Sequence, residues 1–429
     1  MLRQHPKRAC QSPSRCVVTT RAAVRLRPAP IWRFRCAACQ SGDRVLGLYS
    51  RRLRPRLVAS PVEAAHYRHG HLTYPLRQVL HADELHKKPH KKVFEMPNMA
   101  INGLGRIGRA ALKILLDTDG LDLIAVNDIA DVDNLAYLLK YDTVYGRYHR
   151  TVIAGDGALM VDGRRIAAFA ERDPANLPWA DLGVDLVLEC TGVFKTEDDL
   201  KKHIQAGASF VILSAPTTSE TVPTVVHGVN HPDGAAQIIS CASCTTNCIT
   251  PVIEIAHRHI GVQRAVMTTI HAYTGGQRLV DSPSKNFLRG RAGAVNLVPT
   301  STGAARATTL AVPELAGRFD GIAVRAPIPV GSIADIVFVA NRPTTAQEVN
   351  DAFRQEASSE QYQGILGVSE DPLVSADIVG DPRAAVIDLE LTRVVDATLV
   401  KVMAWYDNEW GFTQQMIREA RSTLGVAAT

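Results

Sequence analysis

The sequence predicts an α/β fold in two domains, the first doubly wound around a mostly parallel sheet and the second α+β with a mixed or antiparallel sheet. Three observations predict it. A short apolar strand runs straight into a glycine-rich turn and an amphipathic helix. Strands and helices then alternate as far as Ser243. From Cys244 onward, Val324-Arg325-Ala326 and Ile333 to Ala340 read as strands of a mixed sheet.

The opening strand is Met99-Ala100-Ile101-Asn102, and Gly103-Leu104-Gly105-Arg106-Ile107-Gly108 follows with G-x-G-x-x-G spacing. Gly103 permits the tight turn, Gly105 lets backbone approach a pyrophosphate, and Gly108 allows close packing of helix on strand. Ile107, Ala110, Ala111, Ile114 and Leu115 share one helix face, and Gly120 is expected to close the helix. A second strand, Leu121 to Val126, ends at Asn127-Asp128, about 25 residues beyond the first glycine. Asp128 there accepts hydrogen bonds from ribose hydroxyls and repels a 2′-phosphate. Strand, glycine turn, helix and terminal acid together define a Rossmann-type dinucleotide-binding unit, with the Arg106 and Ile107 backbone N–H groups offered to the pyrophosphate.

Ser243-Cys244-Thr245-Thr246-Asn247-Cys248 is followed by His271 in Thr268-Thr269-Ile270-His271, 27 residues after Cys244. The apolar, helix-length stretch from Cys248 to Ile260 puts Cys244 at a helix entrance, where unpaired N–H groups favour a thiolate. Pro251 then falls in the first turns, where a missing donor costs little. A thiol beside an imidazole is the pairing that attacks carbonyl carbon. The bland alternative is a buried Cys and an ordinary core His.

Several ordered runs carry a family resemblance: Ile101-Asn102-Gly103 through Arg109, Ala125 to Asp128, Leu139-Lys140-Tyr141-Asp142, Glu171-Arg172-Asp173-Pro174, Ser243 through Cys248, Pro299 through Ala305, and Trp405 through Glu409. From about Pro97 to its end the chain resembles phosphorylating glyceraldehyde-3-phosphate dehydrogenases. The resemblance implies a thiohemiacetal on Cys244, hydride transfer to NAD, and release of the thioester by inorganic phosphate as an acyl phosphate. His271 is implied as the base. Gly103, Gly105, Arg106, Ile107, Gly108, Asp128, Arg172, Thr191, Ser214 and Asn408 are implied as cofactor residues. Thr274 and Arg325 match the substrate-phosphate site, and Ser243, Thr302 and the Gly303 backbone match the inorganic-phosphate site. Thr245 belongs with the phosphate-binding group, and Arg289 is open to either site. Arg325 interrupts an apolar run where an unpaired charge is costly, and Thr302-Gly303 also reads as a plain helix cap, a role compatible with anion binding. Asp128 favours NAD over NADP, and Ile129 and Pro283 resemble the NAD-specific members of the family.

Three positions depart from the family pattern. Phe412 replaces a tyrosine expected beside the nicotinamide, Trp410 is bulkier than usual, and Cys241 stands where asparagine is usual. Cys241 creates a Cys-x-x-Cys pair with Cys244, read either as a harmless substitution or as a reversible disulfide switch.

The domains are expected at 96–243 for the cofactor domain, completed by 408–429 with a helix from Phe412 to Leu424, and at 244–407 for the catalytic domain. The segment 1–95 differs. It carries 15 Arg and 5 Lys against 5 acids, a balance of +15, whereas the other 28 basic and 38 acidic residues balance to −10. Its composition supplies little core. It reads as a disordered extension, an organelle presequence, an arm for nucleic acid or acidic lipid, or a stretch upstream of a start at Met96 or Met99. Cys36-x-x-Cys39 is a lone half-site, so no metal is expected. No apolar run reaches 18 residues, and eight cysteines without a framework fit a reducing compartment. The long connection from Thr274 to Pro299 resembles the family's loop between subunits, so the resemblance implies a homotetramer, expected in the cytoplasm, or in an organelle if the presequence is genuine. Glyceraldehyde 3-phosphate and inorganic phosphate are the expected partners, with neither membrane nor nucleic acid for the catalytic unit. Erythrose-4-phosphate dehydrogenase is the alternative within enzymes, and a regulatory NAD- or nucleic-acid-binding protein the alternative outside them.

Overall fold

A computed structural model describes residues 96–232 and 236–427. The basic segment 1–95, with Cys36 and Cys39, lies outside the described residues.

Strand Asn98–Asn102 is flanked in parallel by Asp122–Asn127 and Leu186–Glu189. Beyond Asp122–Asn127 the sheet continues through Arg164–Phe169, Ala158–Val161 and Val152–Gly155, the last two antiparallel. Beyond Leu186–Glu189 it continues through Phe210–Leu213 and Ile238–Ser240, both parallel. The chain thus winds outward one way from the central strand and later the other way. Connections diverge at the carboxyl ends of Asn98–Asn102 and Leu186–Glu189, where Asn102 and Glu189 are register partners, and a crevice opens at such a switch point. Helices on both faces explain the unbroken apolar strands, with Leu186, Val187 and Leu188 fully buried.

The helix after the glycine turn runs Arg106–Leu116 and buries Ala110, Ala111, Ile114 and Leu115 as expected. It ends earlier than Gly120: Asp117 caps it, and the Thr118 hydroxyl donates to the Ile114 carbonyl. Gly120, at φ +81°, instead shapes the turn into the second strand.

The second sheet is mixed, in the order Val298–Ser301, Phe319–Ala326, Val262–Ala272, Ser332–Ala340, Leu399–Tyr406, Ala385–Val395, Leu366–Ser369. Helix Cys244–His259 lays Ile249, Val252, Ile253 and Ala256 in one core with Ile336, Phe338, Val400 and Val402 of this sheet. The C-terminal helix, Trp410–Thr423, returns to the first sheet, where Phe412, Met416, Ile417 and Ala420 join the core. Among the described residues no helix is long and apolar enough to cross a membrane.

Candidate active site

Ile238–Ser240, the last strand of the first sheet, leads through Cys241 and Ala242 into the helix that begins at Cys244 itself. That start is four residues earlier than the apolar pattern suggested, because Ser243 serves as N-cap and its hydroxyl accepts from the Thr246 N–H. Pro251 consequently lies inside the helix, two turns from its start. Ala242 holds a left-handed φ of +55° immediately before this entrance, a conformation uncommon for a residue with a Cβ. Cys244 packs against both hydrophobic cores and so sits where the two sheets meet.

Two strands bring the rest of the site to that sulfur. Val262–Ala272 and Phe319–Ala326 run parallel with His271 opposite Arg325. His271 Nε2 lies 3.3 Å from Cys244 Sγ. Its Nδ1 is 2.7 Å from the Ala272 carbonyl and 2.6 Å from Arg325 Nη1, which also donates to that carbonyl at 3.2 Å. The Ala272 carbonyl calls for a proton on Nδ1, whereas Arg325, which can only donate, calls for a lone pair there; we take the form with the proton on Nδ1, in which Arg325 Nη1 turns its hydrogen to the Ala272 carbonyl and the Nε2 lone pair faces the thiol. Among the described residues, Arg325 Nε is buried without a hydrogen-bond partner.

The electrostatics differ from a standing ion pair. Burial pushes the Cys244 thiol up, although Arg325 and hydrogen bonds from Thr245 and the helix backbone pull it down. Burial, and then the Arg325 charge, push His271 down to about 3. The positive group and the helix N-terminus favour the thiolate in the expected direction, but burial outweighs both, and the resting pair is thiol and imidazole. This has a consequence for stability. An unfolded His, near 6.5, takes up a proton below that pH that the folded His271 refuses until about 3. Stability is therefore lost as pH falls from 6.5 toward 3, by about 2 kcal/mol between pH 7 and 5. Chemical denaturation at both pH values should show wild type losing more than His271→Asn; equal acid sensitivity contradicts this assignment.

Tyr406 is a site residue that sequence reasoning missed, since a buried tyrosine carries no spacing signal. Its hydroxyl lies 3.0 Å from Thr245 Oγ1 and 2.7 Å from Thr269 Oγ1, and its ring meets His271 edge-on at 5.9 Å. Thr245, only 4 % exposed, is engaged with Tyr406 and the Cys244 sulfur. These contacts support the thiol.

The other phosphate candidates are dispersed over neighbouring segments. Thr274 is exposed and its hydroxyl donates to Gln277. Arg289 donates to the Thr300 hydroxyl at 3.0 Å, and its charge reaches Arg325. Thr302 accepts from the Ala304 N–H at the start of helix Ala304–Ala311, whose cap residue is Gly303. Gly303 and Ala242 line one cavity of about 720 Å³ with Thr217, Thr218 and Arg306. Cys241 is buried, and Cys241 and Cys244 are both free thiols.

Five of the ten predicted dinucleotide residues, Gly103, Gly105, Asp128, Arg172 and Thr191, meet at the switch-point crevice. Gly103, Gly105, Asp128, Ile129, Arg172 and Thr191 line a cavity of about 380 Å³. Gly103 has φ +94°, and a Cβ there would lie 2.7 Å from the Thr191 nitrogen. A Cβ on Gly108 would lie 1.9 Å from the Gly103 oxygen. Gly105 meets nothing within 4 Å, so its missing side chain leaves open space in the cavity. No side chain caps the helix that starts at Arg106, which leaves its first amides for an anion. The Arg106 side chain turns away to Asp142 at 2.6 Å and to Glu409. Asp128 accepts from the Leu104 and Ala130 N–H groups at 2.7 and 2.9 Å, which anchors its carboxylate at the turn. Ser214 hydrogen-bonds the Cys190 thiol. Asn408 accepts from Gly331 N–H and the Ser332 hydroxyl, which fixes its carboxamide on the second sheet. Phe412 is a core residue, 4 % exposed.

Comparisons with known proteins agree with this geometry. Residues 97–197 match the glyceraldehyde 3-phosphate dehydrogenase NAD binding domain, and residues 243–408 match the C-terminal domain of the same family. Glyceraldehyde-3-phosphate dehydrogenase of Kitasatospora aureofaciens is 49 % identical over 327 residues, covering 75 % of this chain and 97 % of the relative. The proteins of that name from Zymomonas mobilis and Borreliella burgdorferi are each 44 % identical, over 75 % and 76 % of this chain and 97 % and 99 % of their own length. With both domains matched in order, over nearly the full length of such relatives, the chain belongs to the glyceraldehyde 3-phosphate dehydrogenase family.

Proposed function

We infer that Cys244 and His271 carry the chemistry of an NAD-dependent phosphorylating oxidation of glyceraldehyde 3-phosphate to 1,3-bisphosphoglycerate. The carrying observation is the 3.3 Å contact between Sγ and Nε2, with Arg325 on the far side of the ring. As the sulfur attacks the aldehyde carbon, its proton passes to Nε2 and onward to the nascent oxyanion, giving a hemithioacetal. His271 then withdraws the hydroxyl proton, and the carbonyl re-forms as a thioester on Cys244. Bound NAD supplies the acceptor for the hydride that leaves carbon. Phosphate attacks the thioester carbon, the C–S bond breaks, the acyl phosphate departs and sulfur regains a proton from His271. Arg325 suits the substrate phosphate, since its guanidinium is planar and its Nε, among the described residues, is buried without a hydrogen-bond partner. Ser243, Thr302 and Gly303 are assigned to inorganic phosphate, and Thr274 and Arg289 to the rim of the two anion sites.

NADH formation by purified protein tests this reading. It should require glyceraldehyde 3-phosphate, NAD and phosphate together, and should be weaker with NADP or with erythrose 4-phosphate. Turnover unaffected by omitting phosphate would defeat it.

The functional molecule is further proposed to be a cytoplasmic homotetramer. Within residues 274–299, Leu279, Val280, Phe287, Val295 and Leu297 are 81, 68, 87, 76 and 68 % exposed. The loop is braced by its own Arg291–Asp281 ion pair at 2.8 Å, so these apolar tips face outward from an ordered base. Light scattering should give four chains per particle, with Phe287→Asp shifting the protein to smaller species. A monomeric wild type would refute the assignment.

A further inference from the structure

Beneath the dinucleotide crevice lies a buried polar network centred on one carboxylate, in which Asn102 Nδ2 also lies 3.4 Å from His203 Nε2. Glu189 and His203 are both fully buried. Glu189 Oε2 accepts from Asn102 Nδ2 at 2.6 Å and contacts His203 Nε2 at 3.2 Å. Its Oε1 accepts from the Thr191 N–H at 2.7 Å and from the Thr191 hydroxyl. On the other side of the ring, Trp179 Nε1 donates to His203 Nδ1 at 3.1 Å. An indole N–H can only donate, so Nδ1 must be the bare nitrogen. The single ring proton then sits on Nε2 and is directed at Glu189. Trp179 therefore selects the ring form with its proton on Nε2, and among the described residues Glu189 faces four donors and no second acceptor.

The partners of this carboxylate are the walls of the crevice. Asn102 precedes the glycine turn and is the register partner of Glu189 at the switch point. It accepts through Oδ1 from Asn127 Nδ2 at 2.7 Å, and Asn127 precedes Asp128. The Gly103 N–H donates to the Asn127 carbonyl at 2.7 Å. Thr191 backs onto Gly103 so closely that a Cβ there would overlap it. One buried anion thus ties together three strand ends that line the cavity.

We propose that Glu189, with its donor geometry set by the Trp179–His203 pair, is a positioning residue for the dinucleotide: it holds the Gly103 turn, Asp128 and the Thr191 loop in register for the adenosine half of NAD. The proposal rests on reading the crevice as the NAD site. Glutamine is nearly isosteric but carries an NH₂ where Glu189 has an acceptor, so at least one donor among Asn102, Thr191 and His203 is left facing another donor. An unsatisfied buried group of that kind weakens the arrangement by about tenfold in an equilibrium constant.

The test is direct NAD titration of the full-length protein by calorimetry, for wild type, Glu189→Gln and Trp179→Phe, with steady-state kinetics alongside. For both variants the NAD Kd should rise, by about tenfold for Glu189→Gln, while kcat at saturating NAD and KM for the aldehyde stay within about twofold. Histidine-ring ¹⁵N spectra should show an Nε2-protonated His203 in wild type and loss of the hydrogen-bonded Nδ1 signal in Trp179→Phe, a readout available even if Glu189→Gln fails to fold. Wild-type Kd in the variants, or kcat falling in proportion to Kd, overturns the positioning role. Failure of the wild type to bind NAD overturns the reading of the crevice itself.

Discussion

Cys244→Ser should fold, bind NAD with unchanged Kd and lose turnover by roughly 10⁴-fold or more. A hydroxyl of serine's acidity is a far weaker nucleophile than a thiol, and a single imidazole does not offset the difference. The same substitution removes the thioester, so incubating the protein with aldehyde and NAD in the absence of phosphate should give an acyl mass on wild type and none on the variant. Helix geometry argues against a trivial folding defect. Position 244 is the first residue of helix Cys244–His259, and its N-cap contact comes from Ser243, which the substitution leaves intact. Retention of turnover, or an acyl adduct on Cys248, would transfer the role elsewhere. Burial pushes the Cys248 thiol well up, which makes it a poor nucleophile.

His271→Asn should lower kcat by about 10²- to 10⁴-fold, the usual contribution of a positioned base. NAD affinity should be unchanged. Because the resting pair is thiol and imidazole, removing Nε2 takes away the acceptor that receives the sulfur's proton at the moment of attack. Alkylation of Cys244 should therefore slow at neutral pH and recover as pH rises, because only solvent base is left to generate thiolate in a site where burial raises the thiol. The variant still has Arg325, whose charge pulls the thiol down, so alkylation should not vanish. If alkylation and turnover both match wild type, His271 is a packing residue.

Much of the dinucleotide crevice was legible locally. The roles of Gly103 and Gly108 follow from contacts within one strand–turn–helix unit, and the resulting close approaches are as tight as the motif implies. The opening strand, Asn98–Asn102, starts one residue before the predicted Met99 and ends where predicted. Helix ends were less legible. Gly120 and Cys248 are poor markers because capping was decided by Asp117 and Ser243, whose side chains and backbones do not announce themselves in a hydrophobic pattern.

Sequence alone determined the chemistry-bearing residue types, the doubly wound unit and the order of its motifs, because strand-to-helix turns and nucleophile-bearing helix starts are short-range structures encoded within a few residues. Only the tertiary structure decided that Arg325 stands against His271, that Tyr406 bridges Thr245 and Thr269, and that Glu189 gathers four donors under the crevice. Those partners lie 54 to 161 residues apart at the first two sites and up to 87 apart at the third. Strand register brings them together, parallel for His271 with Arg325 and Asn102 with Glu189, antiparallel through Ser332–Ala340 for Tyr406, and so does burial, which also decides the protonation of Cys244 and His271 by a desolvation that no linear spacing encodes.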